Sequence, residues 1–183
     1  MIREALKRRA TIRRKASEIY GAIVTQARQQ GFYARLGIPD TPTGRYEMVV
    51  LHLFLVLDRL GAEASPTGTL PRVLIETFVG DMDDSLREMG TGDVAVAKKV
   101  RRAAAGLYER SRDYREALAA SDPKALGRAL AGHVLGPDAV DRQCTTLAAY
   151  VRQAVACLAD QDGAEVMAGR VAFPAVASAG VLQ

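Results

Sequence analysis

Residues 45–60 read RYEMVVLHLFLVLDRL. At about 100° per residue, Arg45, His52 and Arg59 fall on one line of a helix, and Glu47 and Asp58 on a second. Everything else in the stretch is apolar. A helix with only two thin polar lines is covered on most sides, so this segment predicts the central helix of a domain. Its longest uncharged run, Met48 to Leu57, spans about 15 Å as a helix, half the hydrocarbon core of a bilayer, so it does not predict a membrane span. His52 is read as a helix-edge histidine hydrogen-bonded to a neighbour.

The flanking sequence supplies partners of the same kind. From Ser17 to Gln30 the apolar residues Ile19, Tyr20, Ile23, Val24 and Ala27 keep the spacing of one helical face. Ser17 is a candidate N-cap, although the helix can reach back into the basic residues before it. GFYARLGIPDTPTG, residues 31–44, reads as a loop anchored by Phe32, Tyr33 and Leu36. GAEASPTGTLP, residues 61–71, reads as a linker that places Pro71 at the first position of a third helix ending at Met89. A fourth helix is expected from Val94 to about Ala119, with Asp93 as its cap and Ser111 as a point where it can break. Asp122-Pro123 opens a fifth, to about Val134. A sixth, beginning after Gly136-Pro137-Asp138, runs to Leu158 or Ala159. No period-2 run lies between hairpin signals. The expected architecture is all-α: a single compact bundle of about six helices over residues 17–162. Residues 163–183 are expected to form a weakly structured tail.

The charge is uneven. The chain has 183 residues, 25 Lys/Arg and 21 Asp/Glu. Residues 1–16, MIREALKRRATIRRKA, hold seven of the basic residues and one acid. The rest is close to neutral, which argues against a domain that coats nucleic acid and for one basic attachment segment. Lys7, Arg8, Arg9, Arg13, Arg14 and Lys15 are its candidate contacts, to an anionic membrane surface or to ribosomal RNA. The basic start is not followed by the apolar stretch of a secretory signal. Cys144 and Cys157 lack CxxC spacing and a histidine to complete a zinc set, and are expected as reduced thiols.

GDMDDSLREMGTGD, residues 80–93, carries five carboxylates. Asp81, Asp84 and Glu88 share one flank of a helix whose other side holds Phe78, Met82 and Leu86. Leu86 and Gly92 stand where a calcium loop of the EF-hand kind needs Gly and Glu. GTGD follows a helix and lacks the Lys and Ser/Thr of a phosphate loop. GxSxG and HExxH are absent. His133 is the only other histidine, and nothing in the pattern ties it to His52 as a haem or metal pair. Lys98, Arg101 and Arg102 of KKVRR lie on one side of the next helix, within reach of Asp81, Asp84 or Glu88 if the GTG turn folds that helix back. Asp81, Asp84, Glu88, Lys98 and Arg101 are therefore the candidate partner-binding residues. No catalytic residue, cofactor or metal is expected.

Two blocks carry a resemblance. Residues 20–60 hold Phe32-Tyr33, Gly37, Pro39-Asp40 and Arg45-Tyr46-Glu47-Met48, and residues 74–118 hold the run from Asp81 to Asp93. In this order they resemble the ubiquinol–cytochrome c chaperone family, with Gln30 standing where a proline would precede the Phe-Tyr pair. The resemblance implies a helical, non-enzymatic assembly factor. Its client would be newly made cytochrome b, held for insertion into ubiquinol–cytochrome c reductase, with a ribosome and a small assembly protein as further partners. It places the chain at the cytoplasmic side of the inner membrane, peripherally, or on the matrix side in a mitochondrion. The competing readings are a helical RNA- or ribosome-contacting module and a small helical enzyme using the Asp81/Asp84/Glu88 flank.

Overall fold

In the computed structural model, α3 (Pro42–Glu63) runs through the middle of the molecule. It is apolar on nearly every side, and it contributes to two cores at once. Met48, Leu51, Phe54 and Leu55 pack with Phe32, Tyr114, Leu126, Leu130, Leu147, Val151 and Leu158. Val50, Leu53, Val56 and Leu60 pack with Ile19, Ile23, Leu70, Leu74, Phe78, Leu107 and Val166. Burying a side chain of this size contributes roughly 1.5–3 kcal/mol, so α3 is the element the others assemble around. The structure describes residues 2–63, 69–88 and 90–176.

The second core is closed by α1 (Ile2–Ala27) and α4 (Thr69–Glu88), and the first by α2 (Gln30–Ala34), α5 (Asp93–Ala119), α6 (Ala125–Leu130) and α7 (Asp141–Ala159). A short α8 (Gly163–Met167) follows α7. Among the described residues there is no strand, and the fold is all-α. The short helices α2 and α8 join the six expected from the sequence.

Several boundaries move. Ser17 is not a cap: α1 runs unbroken from Ile2, because Ala, Leu, Lys and Arg are good helix formers and no Gly or Pro stands between Ile2 and Ser17. Residues 31–44 are not all loop, since they contain most of α2 and the first turn of α3. Gly44 lies in that turn, where a Cβ would stand 2.0 Å from the Pro39 carbonyl oxygen, so only glycine fits. Pro71 is the third residue of α4 rather than the first, still within the turn where a missing N–H costs nothing. Asp93 is the first residue of α5, whose cap position is Gly92. No break occurs at Ser111. The fifth helix starts two residues after Pro123, with Asp122 Oδ1 accepting from the Lys124 N–H (2.9 Å), and its last turn widens into a π turn over residues 131–135.

The chain after α7 is docked as far as residue 176. Val166 is fully buried, the Ala172 N–H donates to Gln161 Oε1 (2.8 Å), and Gln26 Nε2 donates to the Pro174 carbonyl (2.9 Å). Residues 177–183, the linker residues 64–68 and Met89 lie outside the described residues.

Candidate interaction surfaces

Arg45, at the start of α3, stays exposed and pairs with Asp40 (2.7 Å), while Glu47, His52 and Arg59 turn to neighbouring helices. Glu47 and Arg110 form a two-pronged ion pair, both bonds 2.6 Å, that ties α3 to α5. His52 is fully buried, not at a helix edge. Its Nδ1 lies 2.7 Å from the Met48 carbonyl, which can only accept, so Nδ1 carries the proton. Its Nε2 then accepts from the Tyr150 hydroxyl (2.7 Å), which itself accepts from Gln26 (3.0 Å). Burial pushes the His52 pKa down to about 4, against the opposing effect of the Met48 bond, so the ring is neutral at neutral pH. Arg59 donates to the carbonyls of Leu158 (2.8 Å) and Gln161 (3.0 Å), placing a cation at the C-terminus of α7, where the helix dipole favours one. These groups connect α1, α3, α5 and α7, and none faces a substrate-sized cleft.

The acidic flank of α4 divides. Asp81 accepts from the Tyr20 hydroxyl (2.8 Å), and burial together with that bond raises the phenol's pKa. Asp83 pairs with Arg87 (2.6 Å), which also reaches Asp93 across the turn. That turn is held by Thr91 N–H to Leu86 O (3.1 Å) and Gly90 N–H to Arg87 O (2.9 Å), with Gly90 at φ 76°. This is a left-handed helix end that suits glycine. Asp84 and Glu88 are exposed. Among the described residues neither pairs with Lys98, Arg101 or Arg102, so the geometrically open pairing across the turn is not made. Its cations stand free on the first half of α5, beside exposed Val94 (88%) and, further on, Tyr108 (65%).

The basic segment is the projecting start of α1. Residues 3–11 are all exposed, including Lys7, Arg8 and Arg9, with Arg8 and Arg9 edging shallow clefts against the start of α4, and Ile12 is the first residue to be partly covered. Arg13 is exposed beside them. Arg14 pairs with Glu18 (2.8 Å), and Lys15 donates to the Met167 carbonyl (3.0 Å). Leu6 adds an apolar residue to the overhang, 59% exposed.

The sequence did not point to a groove between α6 and α7. It has a volume of about 610 Å³ and a floor of Gly127, Ala131, Cys144, Ala148 and Ala149. Lys124, Arg128, Asp141 and Arg152 are its charged lining residues. The two helices pack closely at Gly127, where a Cβ would lie in van der Waals contact with Cys144 Cβ at 3.4 Å. Both cysteines are free thiols. Among the described residues no three His, Cys, Asp or Glu side chains converge as a metal site, and no helix is long and apolar enough to cross a membrane.

Fold and surfaces together define an all-α bundle that pairs Glu47, His52 and Arg59 inside, leaves the buried Tyr114 hydroxyl without a hydrogen-bond partner among the described residues, and keeps charged and apolar helix faces open. The chain belongs to the ubiquinol-cytochrome C chaperone family, whose profile matches residues 34–173. It is 24% identical over 153 residues to ubiquinol-cytochrome-c reductase complex assembly factor 1 of Xenopus laevis, a match covering 83% of this chain and 76% of that one. Its structure is similar to the crystal structure of the Cbp3 homolog from Brucella abortus, with a TM-score of 0.82 and 36% sequence identity over 96% of this chain and 98% of that chain.

Proposed function

We propose that this protein is an assembly chaperone for ubiquinol–cytochrome c reductase that holds newly made cytochrome b before it is built into the complex. The observation that carries the reading is the family match across three quarters of the chain, joined to a whole-chain fold similarity at 36% identity. The geometry supports it. A protein that holds an apolar client needs open, weakly polar surface rather than converging reactive groups. The α6–α7 groove, with its floor of small residues, suits a client helix. The α1 overhang suits attachment to an anionic membrane surface or to the ribosome that makes the client, so the protein would work peripherally at the membrane. No chemical step is assigned to it.

The test is site-specific photo-crosslinking. A photoreactive residue at Ala149, on the groove, should give cytochrome b as its main adduct in membranes that are synthesising the complex. The same residue at Glu116, exposed on α5, should not. An Ala149 adduct pattern lacking cytochrome b would sink the reading.

A further inference from the structure

The first half of α5 carries cations that no carboxylate among the described residues pairs with. Lys98, Lys99, Arg101 and Arg102 are exposed, and among the described residues none pairs with a carboxylate. The contrast with the rest of the helix is sharp. Further along α5, Arg110 is held by Glu47, Arg112 by Asp113 (3.0 Å) and Arg115 by Asp58 (2.9 Å). Two acids, Asp84 and Glu88, stand on the adjacent α4 without turning to the free cations. The basic patch is therefore not half of an internal ion-pair network.

The patch also has a shape. Val94, Lys98, Arg101, Ala105 and Tyr108 are all exposed and follow one another at intervals of four, three, four and three residues. On a helix this places them within an arc of about 80°, over a length of about 21 Å. The order alternates an apolar end, two cations, a small residue and an aromatic ring. It is the seam that one helix presents to another packed along it, with Ala105 allowing close approach. The opposite side of α5 is already occupied, since Val96, Leu107 and Tyr114 are buried in the bundle.

We propose that this stripe is a docking face for an acidic amphipathic helix of a partner protein. Carboxylates on that helix would meet Lys98 and Arg101, with Lys99 and Arg102 at the rim, while its apolar residues would cover Val94 and Tyr108. A protein helix fits better than nucleic acid. A single-stranded RNA site needs several rings among its cations, and Tyr108 is alone, about 15 Å along the helix from Lys98. The proposal deepens the chaperone reading by giving the protein a second, charge-selective contact apart from the apolar groove.

The test titrates the full chain into two fluorescein-labelled peptides. One is a helix-forming peptide with Glu and Leu at four-three spacing, and the other has the same composition in scrambled order. The patterned peptide should bind, and the scrambled one should bind about tenfold more weakly. The pair Lys98→Glu and Arg101→Glu should weaken the patterned peptide at least about tenfold, and Val94→Ser with Tyr108→Ser should weaken it too. These positions are exposed, and unchanged circular dichroism melting of each variant shows that the fold is kept. Failure of the patterned peptide to bind, equal binding of the scrambled peptide, or indifference to charge reversal would overturn the proposal. So would tighter binding of poly(U) RNA or phosphatidylglycerol vesicles that the same substitutions abolish. The titration contains no cytochrome b, so its failure leaves client capture standing, and a missing cytochrome b adduct leaves the peptide result standing.

Discussion

The central helix α3 and the first half of α5 both carry charged residues, and they treat them in opposite ways. On α3, Glu47 and Arg59 each meet a partner on another helix, and His52 has both ring nitrogens engaged. On α5, Lys98, Lys99, Arg101 and Arg102 point to solvent with no carboxylate among the described residues. Burial makes the difference. A charge or ring nitrogen removed from water must be satisfied inside the protein, so α3 holds groups that lock helices together. A solvated cation has no such requirement, and one left unpaired beside available acids is free for another molecule. The contrast separates groups that keep the fold from groups that can be changed without touching it.

The sharpest way to break that distinction is at Glu47. Its removal by Glu47→Ala leaves the Arg110 guanidinium, whose side chain is only 19% exposed, without its counter-charge. Breaking a buried pair from one side costs about 3–5 kcal/mol, and urea denaturation should show a loss of that size. Replacing both partners, Glu47→Leu with Arg110→Met, should cost less than Glu47→Ala alone, because no uncompensated charge remains. A Glu47→Ala variant as stable as the parent would remove the basis of the comparison.

Next in size is the buried histidine. Its folded pKa of about 4 lies below the ordinary value of 6.5, so the unfolded chain takes up a proton more readily than the folded one. The stabilisation is fully present above pH 6.5 and is lost as the pH falls through about 4. The loss should approach about 3 kcal/mol, at 1.36 kcal/mol for each unit of the difference. His52→Gln should flatten the stability profile between those two values. Asp113, held below the carboxylate range by His133 and Arg112, gives up its contribution only at more acid pH, so the two effects separate.

These internal links show where the sequence could and could not be read. The period of residues 45–60 was enough to place α3 at the centre, because a helix apolar on most sides has nowhere else to go. It also put Glu47, His52 and Arg59 on thin polar lines. It could not pair them, since Glu47 and Arg110 are 63 residues apart and His52 and Tyr150 are 98 apart. The cap signal at Ser17 misleads, because a serine favours a cap but does not start a helix where its neighbours are good helix formers, while at Asp93 the helix starts one residue earlier than the cap reading gives, with Gly92 as the cap. Of the acids in residues 80–93, the spacing puts Asp81, Asp84 and Glu88 on one flank of an amphipathic helix, and on α4 all three are exposed. Which of the acids are left unpaired depends on Tyr20 and Arg87, and spacing alone does not reveal those contacts. The α6–α7 groove needed the approach of Gly127 to Cys144, a tertiary fact with no sequence period behind it.

The acidic flank allows a finer test within one helix. Asp81→Asn weakens the bond from the nearly buried Tyr20 hydroxyl and should lower stability by about 1 kcal/mol. Asp84→Asn and Glu88→Gln together should change it by no more than about 0.5 kcal/mol, because exposed groups without partners carry little of the fold's stability. Equal effects from the two changes, measured by thermal unfolding at one pH, would mean that position on the flank, not the Tyr20 contact, sets the response.

The smallest effect on stability, and the largest separation of stability from binding, is expected at the α1 overhang. Lys7→Glu, Arg8→Glu and Arg9→Glu act on exposed residues, so the melting transition should shift by no more than about 0.5 kcal/mol. Each cation near an anionic leaflet contributes about 1 kcal/mol of attraction, and reversal changes its sign. The triple variant should therefore lose flotation with phosphatidylglycerol vesicles while the parent keeps it at low salt. Photo-crosslinking to cytochrome b in detergent extract should be unchanged, since the overhang and the α6–α7 groove belong to different helices. Vesicle binding that survives the reversal would move membrane attachment away from α1. A large drop in melting temperature would show that the overhang supports the fold, and would put it on the same side of the comparison as α3.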